Sequence, residues 1–299
     1  MNTGKYILLS AIIFFFMLPV ASANSTEVPA GLGGFWDPAL NEMKVHFIDV
    51  GQGDSILIEG PAGETMLIDG GDYEASGKVI SYLKENGIES LDWVVATHPH
   101  TDHIGGLVDV LKEIEVGRIL DSGLAHTTDT YLDYLTIVDK KDINIDIAEE
   151  GEFINFSPYT VLQVLNGFED SDIINESSIV LKLSYGNVDF MLTADATMKN
   201  EARMIQQYDV EAEILKVAHH GSRSSTSQEF LDAIQPQIAI LSYGENDYGH
   251  PTEGVVSRLK GVMADIFSTK ESGDITVITN GTNYHVNAVP WSGARKEFT

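Results

Sequence analysis

The stretch THPHTDH, residues 97–103, constrains this chain more than any other segment. It places three histidines and one aspartate in H-x-H-x-D-H order, in a chain with nine histidines altogether. The apolar run LDWVVA comes directly before it, and IGGLVDVLKEIEV, with helical spacing, follows. The pattern predicts a buried strand, a turn that carries the four side chains, and a helix. Because imidazoles and carboxylates are ligands for Zn, Mn and Fe, the turn predicts a metal site.

Strand and helix patterns alternate along the chain, but strands also occur in groups. KVHFIDV and DSILIEG alternate apolar and polar positions around a glycine turn, which predicts antiparallel strands. Helical spacing recurs in SGKVISYLKENGIES and MKNEARMIQQYD, and AEILKVAHH is predicted as a strand. Grouped strands combined with βα alternation favour an α/β sandwich of two mixed sheets over a doubly wound parallel sheet. Most histidines follow a strand, at the edge where α/β folds usually place their sites.

The first 23 residues have the composition of a secretory signal peptide. A short basic start precedes an apolar run of about fifteen residues and a small-x-small site that ends at Ala23. An uncleaved anchor is the alternative, because the run is only slightly shorter than the ~20 residues that span a bilayer. We therefore expect a secreted or extracytoplasmic chain, cleaved or membrane-tethered. Residues 24–42 are predicted as a linker, 43–287 as the folded domain and 288–299 as a C-terminal tail.

Composition limits the chemistry that the domain can use. The chain has no cysteine, which excludes thiolate ligands, thiol nucleophiles and disulfides. Its 45 acidic and 18 basic residues give a net charge of −27. Such a charge keeps a protein soluble but repels polyanions, and duplex affinity comes largely from Lys and Arg. Tight binding to duplex DNA is therefore not expected, except where high salt screens the repulsion.

The H-x-H-x-D-H segment after a strand resembles the metallo-β-lactamase superfamily. FIDVGQGDSILIE, LIDGG, NESSIVLKL, LTADA, LKVAHHGSRSS and YGHP are similar to successive motifs of its ComEC-type branch, the hydrolase domain of competence DNA-uptake proteins. The resemblance covers about residues 43–287. It implies a four-layer αββα sandwich of two similar halves, with the metals between the sheet edges.

The resemblance also implies two divalent metal ions, Zn or Mn, and a ligand set. His98 and His100 share one metal with a histidine of the pair His219–His220; Asp102, His103 and His250 hold the other; Asp195 bridges the two. Before the bridging aspartate most members have a histidine, whereas this chain has Asn175. The later AHHGS segment then supplies the missing imidazole.

Of the adjacent pair, His219 is favoured as the ligand, because neighbouring residues on a strand point in opposite directions. His220 then faces the substrate, donates a proton, or hydrogen-bonds a ligand. Asp102 or Asp195 is expected to orient the attacking hydroxide. Further residues are predicted to contact substrate or to support the ligands: Asn175, Ser222, Asp49, Asp54, Asp69 and His126.

Each supporting residue also has a simpler interpretation. The three aspartates suit hairpin or turn positions as well as hydrogen bonds to metal-bound histidines. Ser222 and the Gly221 amide could hold an oxyanion or cap the helix that begins near SQEF. His126 lies in the polar segment AHTTD, where a solvated loop is the alternative to substrate contact.

The sequence favours an exported metal-dependent hydrolase, in particular a phosphodiesterase or nuclease that uses an activated hydroxide. One alternative is a small-substrate hydrolase, such as a phosphorylcholine esterase-like enzyme or a lactonase, and another is a non-catalytic metal-binding module. ComEC-type proteins join this domain to a membrane channel, whereas no later segment here is apolar enough to cross a membrane. We expect a phosphodiester substrate, with DNA as the one implied by the resemblance, and a separate channel protein as partner.

Overall fold

The computed structural model describes residues 42–169 and 171–291. The predicted signal peptide, the linker up to residue 41, and residues 292–299 of the predicted tail lie outside the described residues. The strands are β1 (Met43–Phe47), β2 (Ile56–Glu59), β3 (Thr65–Ile68), β4 (Ser90–Ala96), β5 (Glu115–Asp121), β6 (Asn144–Ile147), β7 (Phe153–Ile154), β8 (Val161–Asn166), β9 (Val180–Tyr185), β10 (Val188–Leu192), β11 (Ile214–Lys216), β12 (Ile238–Leu241), β13 (Asp265–Ser268), β14 (Ile275–Thr279) and β15 (Tyr284–Val286).

Helices connect these strands on the outer faces. They are α1 (Ser76–Glu85), α2 (Thr101–Ile104), α3 (Leu107–Glu113), α4 (Asp129–Lys141), α5 (Met198–Gln207), α6 (Gln228–Ile234), α7 (Glu253–Gly261) and α8 (Thr269–Ser272), with short 3-10 turns at Tyr73–Ala75, Ile174–Ser177 and Ala218–Gly221. Within the described part of the chain, no helix combines the length and apolar character needed to span a bilayer.

The strands form two mixed sheets. The first has the order β15-β14-β1-β2-β3-β4-β5-β6, and the second has the order β13-β12-β11-β10-β9-β8-β7. Strands β1 to β3 are antiparallel and β3 to β6 are parallel; likewise β7 to β10 are antiparallel and β10 to β13 are parallel. Parallel neighbours need a crossover, which the helices provide. The two halves therefore repeat one topology, although the sequence has no visible repeat.

Alternation along the strands divides the core into three layers. In β2, Ile56 and Ile58 pack between the sheets, whereas Leu57 packs under helices. One apolar layer lies between the two sheets, a second lies between the first sheet and α1, α3 and α4, and a third lies between the second sheet and α5, α6 and α7. The prediction of an αββα sandwich with two mixed sheets is confirmed.

The topology brings the predicted site residues to one edge. His98, Asp195 and His219 follow the C-terminal ends of β4, β10 and β11, each within three residues. Those three strands belong to the parallel portions of the two sheets. The carboxyl ends of parallel strands open at the same edge, where α/β folds place their sites.

Candidate metal centre

The H-x-H-x-D-H segment forms the turn between β4 and α2. His98 and His103 are buried, and His100 is partly exposed. His98 Nε2 and His100 Nδ1 lie 3.0 Å apart. A neutral imidazole presents one nitrogen as a donor and the other as an acceptor, so two converging nitrogens need a proton or a cation between them. The pair has the arrangement of two ligands of one ion.

Asp195 lies between two groups of imidazoles. Its Oδ1 atom is 3.3 Å from His103 Nε2 and 3.5 Å from His220 Nε2. Its Oδ2 atom is 3.5 Å from His219 Nε2 and 3.8 Å from His98 Nε2. The carboxylate is buried, and it follows β10 in a turn in which Ala194 has φ +44°. One side chain therefore presents a separate oxygen to each group.

Hydrogen bonds at Nδ1 orient the buried rings. His103 Nδ1 lies 2.7 Å from Asp69 Oδ2, and His220 Nδ1 lies 2.9 Å from the Ser242 carbonyl oxygen. Because a carboxylate and a carbonyl only accept, the Nδ1 atoms carry the protons. In the neutral form of each ring, Nε2 then presents its lone pair toward Asp195, which is the orientation that metal binding needs.

Asp69 also orients His98 through Thr97. The Thr97 hydroxyl donates to Asp69 Oδ2 at 2.7 Å and lies 3.1 Å from His98 Nδ1, from which it can accept. The Thr97 amide donates to Asp69 Oδ1 at 2.9 Å. The predicted support of metal-bound histidines by Asp69 matches this geometry, with Thr97 as an intermediary that sequence reasoning missed although it begins the THPHTDH stretch.

Several buried atoms of the centre have no hydrogen-bond partner among residues 42–169 and 171–291. They include Asp195 Oδ1, His103 Nε2, His220 Nε2, Asp54 Oδ1 and His250 Nδ1. Buried polar atoms are almost always hydrogen-bonded, and each unpaired one carries a desolvation cost. Their ligand atoms recur in groups whose members lie within 4.8 Å of one another, including His98–His103–Asp195 and Asp102–His103–His220. The donor set therefore fits divalent cations.

Without a cation, protons compensate the buried carboxylates. Burial opposes a charge on His220, but Asp195 and Asp54 outweigh it and raise the pKa of His220 to about 10. Burial likewise opposes a charge on His103, while Asp195 and Asp69 hold its pKa well above the usual value. Burial opposes ionisation of Asp195, but His103 and His220 hold its pKa well below normal. A metal ion would therefore compete with protons for the imidazole nitrogens of His103 and His220.

The adjacent histidines do not lie on a strand. Strand β11 ends at Lys216, and His219 and His220 occupy a 3-10 turn with φ of +50° and +53°. Gly221 completes this turn, where a Cβ atom would lie 2.5 Å from Pro251 Cβ. The prediction of a strand through AHH is wrong, and the alternation argument for His219 over His220 fails with it.

Both histidines reach Asp195, from different sides. His220 is 1% exposed, and its Nε2 lies 3.4 Å from Asp102 Oδ2. The structure therefore does not support a substrate-facing role for His220. The more exposed ring is His219, which faces the same Asp195 oxygen as His98.

His250 was predicted to bind a metal with Asp102 and His103, and the structure shows its ring beside two other aromatic rings. Its ring centre lies 5.4 Å from that of His219 and 5.6 Å from that of Tyr248. Burial lowers the pKa of His250 to about 4, together with repulsion from His219. The ligand atom of His220 lies within 4.8 Å of those of Asp102 and His103, and the role of His250 as a ligand stays a prediction.

Comparison with known proteins supports this description. Residues 48–245 match the Metallo-beta-lactamase superfamily. The chain belongs to this superfamily. It is 28% identical over 256 residues to ComE operon protein 3 of Bacillus subtilis, a match that covers 79% of this chain and 33% of that protein. It is 29% identical over 266 residues to Recombination protein 2 of Haemophilus influenzae, covering 86% and 31% respectively.

These relatives and Competence protein ComA of Neisseria gonorrhoeae agree with the ComEC-type branch of the superfamily. The chain spans about a third of the length of these curated relatives. Among solved structures, the diiron β-hydroxylase CmlA of Streptomyces venezuelae aligns with a TM-score of 0.52 at 14% identity, covering 79% of this chain and 54% of CmlA. That likeness concerns the fold alone. Family and donor set together support a metal-dependent hydrolase.

Asn175 is the residue for which the family resemblance implies a histidine in most other members. It lies in the 3-10 turn Ile174–Ser177, and its Nδ2 atom is 3.2 Å from His219 Nδ1. Asn166 fixes this turn by donating to the carbonyl oxygens of Glu176 and Ser178. The asparagine therefore contacts the imidazole that the resemblance names as its replacement.

Asp54 and Lys216 form a buried ion pair behind His220. Lys216 Nζ lies 2.8 Å from Asp54 Oδ2, and Asp54 Oδ1 lies 3.4 Å from His220 Nδ1. Burial opposes ionisation of Asp54, but Lys216 and His220 outweigh it and lower the Asp54 pKa to about 2. Gly53 lets the backbone before Asp54 lie against the turn that carries Asp102, because a Cβ atom there would lie 2.2 Å from the Asp102 carbonyl oxygen. The sequence contains one overlooked signal for this ion pair, which is a lysine within the otherwise largely apolar segment EILKVA.

Three other predicted residues do not join the cluster. Asp49 accepts from the Gly51 amide and pairs with Lys78, so the turn interpretation holds. The Ser222 hydroxyl contacts Ser224, and the cap of α6 is Ser227, so the expected capping role of Ser222 is wrong. His126 lies in an exposed loop and hydrogen-bonds Thr128.

Proposed function

We propose that this protein is an exported, metal-dependent phosphodiesterase that hydrolyses nucleic acid. The observation that carries the proposal is Asp195, whose two oxygens face separate groups of imidazoles. A carboxylate in this position can bind two cations at once and lower their mutual repulsion. Export is proposed from the composition of residues 1–23.

Two donor sets are proposed from these distances together with the family resemblance. His98, His100 and His219 would hold one ion together with Asp195 Oδ2. Asp102, His103 and His220 would hold the other together with Asp195 Oδ1. Imidazole and carboxylate donors suit Zn or Mn. When bound, such a pair supplies hydroxide at neutral pH and neutralises charge on a phosphoryl oxygen.

The residues of the chain differ in what they can do for the reaction. The Asp102 side chain is 31% exposed, whereas that of Asp195 is 3% exposed. Asp102 is therefore the carboxylate that can accept a hydrogen bond from the attacking water. His250 stays neutral at pH 7 because its pKa is about 4, so it can hydrogen-bond a substrate oxygen without adding charge. No serine or cysteine nucleophile is needed.

Nucleic acid is proposed as the substrate because relatives carry the names competence protein and recombination protein. The ComEC-type resemblance also suggests a partner. We propose that the protein acts in DNA uptake together with a separate membrane channel protein. The net charge of −27 favours the second candidate, a small-substrate hydrolase, because it opposes duplex binding.

The test compares substrates and salt concentrations. The full chain, loaded with Mn or Zn, is assayed on single-stranded DNA, duplex DNA, bis-p-nitrophenyl phosphate, a lactone and a β-lactam at low and high salt. Nuclease and phosphodiesterase activities that are absent in Asp195→Asn and present in Asp49→Asn support the proposal. Hydrolysis of the lactone or the small ester with DNA intact at every salt concentration would favour the second candidate.

A further inference from the structure

Three aromatic rings connect the metal centre to the protein surface. His219 lies against Asp195, its ring contacts His250, and His250 is stacked on Tyr248 with an interplanar angle of 30°. Tyr248 is the outermost of the three and is 74% exposed. Its ring therefore stands at the mouth of the site, with one side resting on His250.

The loop that carries Tyr248 is held in place by its own hydrogen bonds. Asn246 Nδ2 donates to the carbonyl oxygens of Gly244 and His250, both at 2.9 Å, and Asn246 Oδ1 accepts from the His250 amide at 3.0 Å. Gly244 packs on the turn at Gly51, where a Cβ atom would meet backbone atoms at 2.5 Å. The exposed ring is thus presented by a closed loop, which lowers the entropy cost of using it for binding.

An acidic chain needs a source of affinity for nucleotides other than cations. Only Lys216 and Arg223 flank the AHHGS segment, and Lys216 is fully buried against Asp54. Arg223 is left as the exposed cation of that segment. Aromatic side chains bind bases without any charge, and this stacking is tolerant of sequence.

We propose that Tyr248 is a stacking platform for a nucleobase next to the phosphodiester at the metal centre. The inference rests on the proposed phosphodiesterase function and adds a subsite that selects nucleotide esters over esters without a base. Tyr248 acts in binding and makes no contact with the reacting atoms.

Two esters with the same leaving group isolate the subsite. They are thymidine 5′-(p-nitrophenyl phosphate) and methyl p-nitrophenyl phosphate, which differ only in the group retained on phosphorus. Tyr248→Ala should lower the ratio of kcat/KM between thymidine and methyl esters by about 5- to 150-fold, mainly through KM, as expected for the loss of one base–aromatic stack. Tyr248→Phe and Tyr248→Trp should retain the ratio.

Tyr159 provides a matched control. It is also an exposed tyrosine, at 53%, and it precedes β8 at the end of that strand opposite to Asn166. Tyr159→Ala should keep the wild-type ratio. If Tyr248→Ala leaves the ratio unchanged, including by an equal loss of kcat/KM on both esters, Tyr248 is not a stacking platform.

A failure of the proposed function would look different. If the metal-loaded wild-type chain hydrolyses neither ester, the phosphodiesterase proposal fails. Calorimetric binding of a short oligothymidylate at high salt then decides the subsite. Weaker binding by Tyr248→Ala than by Tyr159→Ala supports it, and equal binding, or none by the wild-type chain, overturns it.

Discussion

Lys216 Nζ lies 2.8 Å from Asp54 Oδ2, and the two residues are 162 positions apart in the chain. Both side chains are buried, at 0% and 2% exposure. Asp54 precedes β2 of the first sheet and Lys216 ends β11 of the second, so the pair joins the two halves directly behind His220.

Replacing this lysine should destabilise the fold. Lys216→Met removes the nearest cation from the buried Asp54 and leaves His220, at 3.4 Å, as its remaining charged partner. Loss of one partner of a buried pair costs about 3–5 kcal/mol. Urea unfolding of the chelated protein measures the change. Lys84→Met breaks the exposed pair with Glu113 and should cost under about 1 kcal/mol. Similar losses in the two variants would contradict the assignment.

Asp69 should control metal affinity without binding the metal. Asp69→Asn weakens the hydrogen bonds that orient His103 and, through Thr97, His98. Loss of such a supporting carboxylate typically lowers metal affinity about 10- to 100-fold. Competition with a chromogenic chelator gives the dissociation constant. Asp49→Asn is the control, because Asp49 pairs with Lys78 outside the cluster, and an effect as large as that of Asp69→Asn would refute the distinction.

Metal binding should release protons at neutral pH. The pKa of His220 is raised to about 10 in the metal-free fold, so its ring is protonated at pH 7 and must lose that proton to become a ligand. Affinity should therefore increase as pH rises from 6 to 8. The folding stability of the metal-free protein should change with pH in the opposite direction. Stabilisation by protonated His220 is complete below pH 6.5 and is lost as pH approaches 10.

Calorimetry in buffers of different protonation enthalpy measures the number of protons released. His220→Gln should release fewer protons than the wild-type chain. Equal proton release by both proteins, or an affinity that does not depend on pH, would show that His220 is neutral in the free protein.

Replacing His220 and replacing His250 should have different effects on the number of metal ions bound per chain. The distances place His220 with Asp102 and Asp195, and His250 beside His219. His220→Ala should therefore lose about one ion per chain, whereas His250→Ala should keep both, as counted by plasma mass spectrometry after dialysis. The reverse result would restore the ligand set implied by the family resemblance.

Much of the fold was predictable because its signals are local. The apolar strand before His98 and the alternation in DSILIEG report burial on each face of a sheet, which the structure confirms. The conformation of His219 and His220 was not predictable in this way. Positive φ at two successive non-glycine residues has no local signal, and the next residue, Gly221, packs against Pro251 of a distant segment.

The site residues also divide into those that the local sequence predicts and those that depend on contacts between distant segments. The ligand types in THPHTDH indicate metal binding without any knowledge of distances. The choice between His220 and His250 depends on which ring reaches Asp102 in space, and spacing along the chain carries no such information. Asp49 and Asp54 lie in the same DVGQGDS motif, yet only Asp54 faces the interior, where Lys216 meets it.

The most direct test of the account is the number of divalent ions bound per chain before and after Asp195→Asn, measured by plasma mass spectrometry on dialysed protein. The account predicts two ions in the wild-type chain and at most one in the variant, with the native circular dichroism spectrum in both. A wild-type chain that binds a single ion, or a variant that keeps two, would contradict a centre bridged by Asp195.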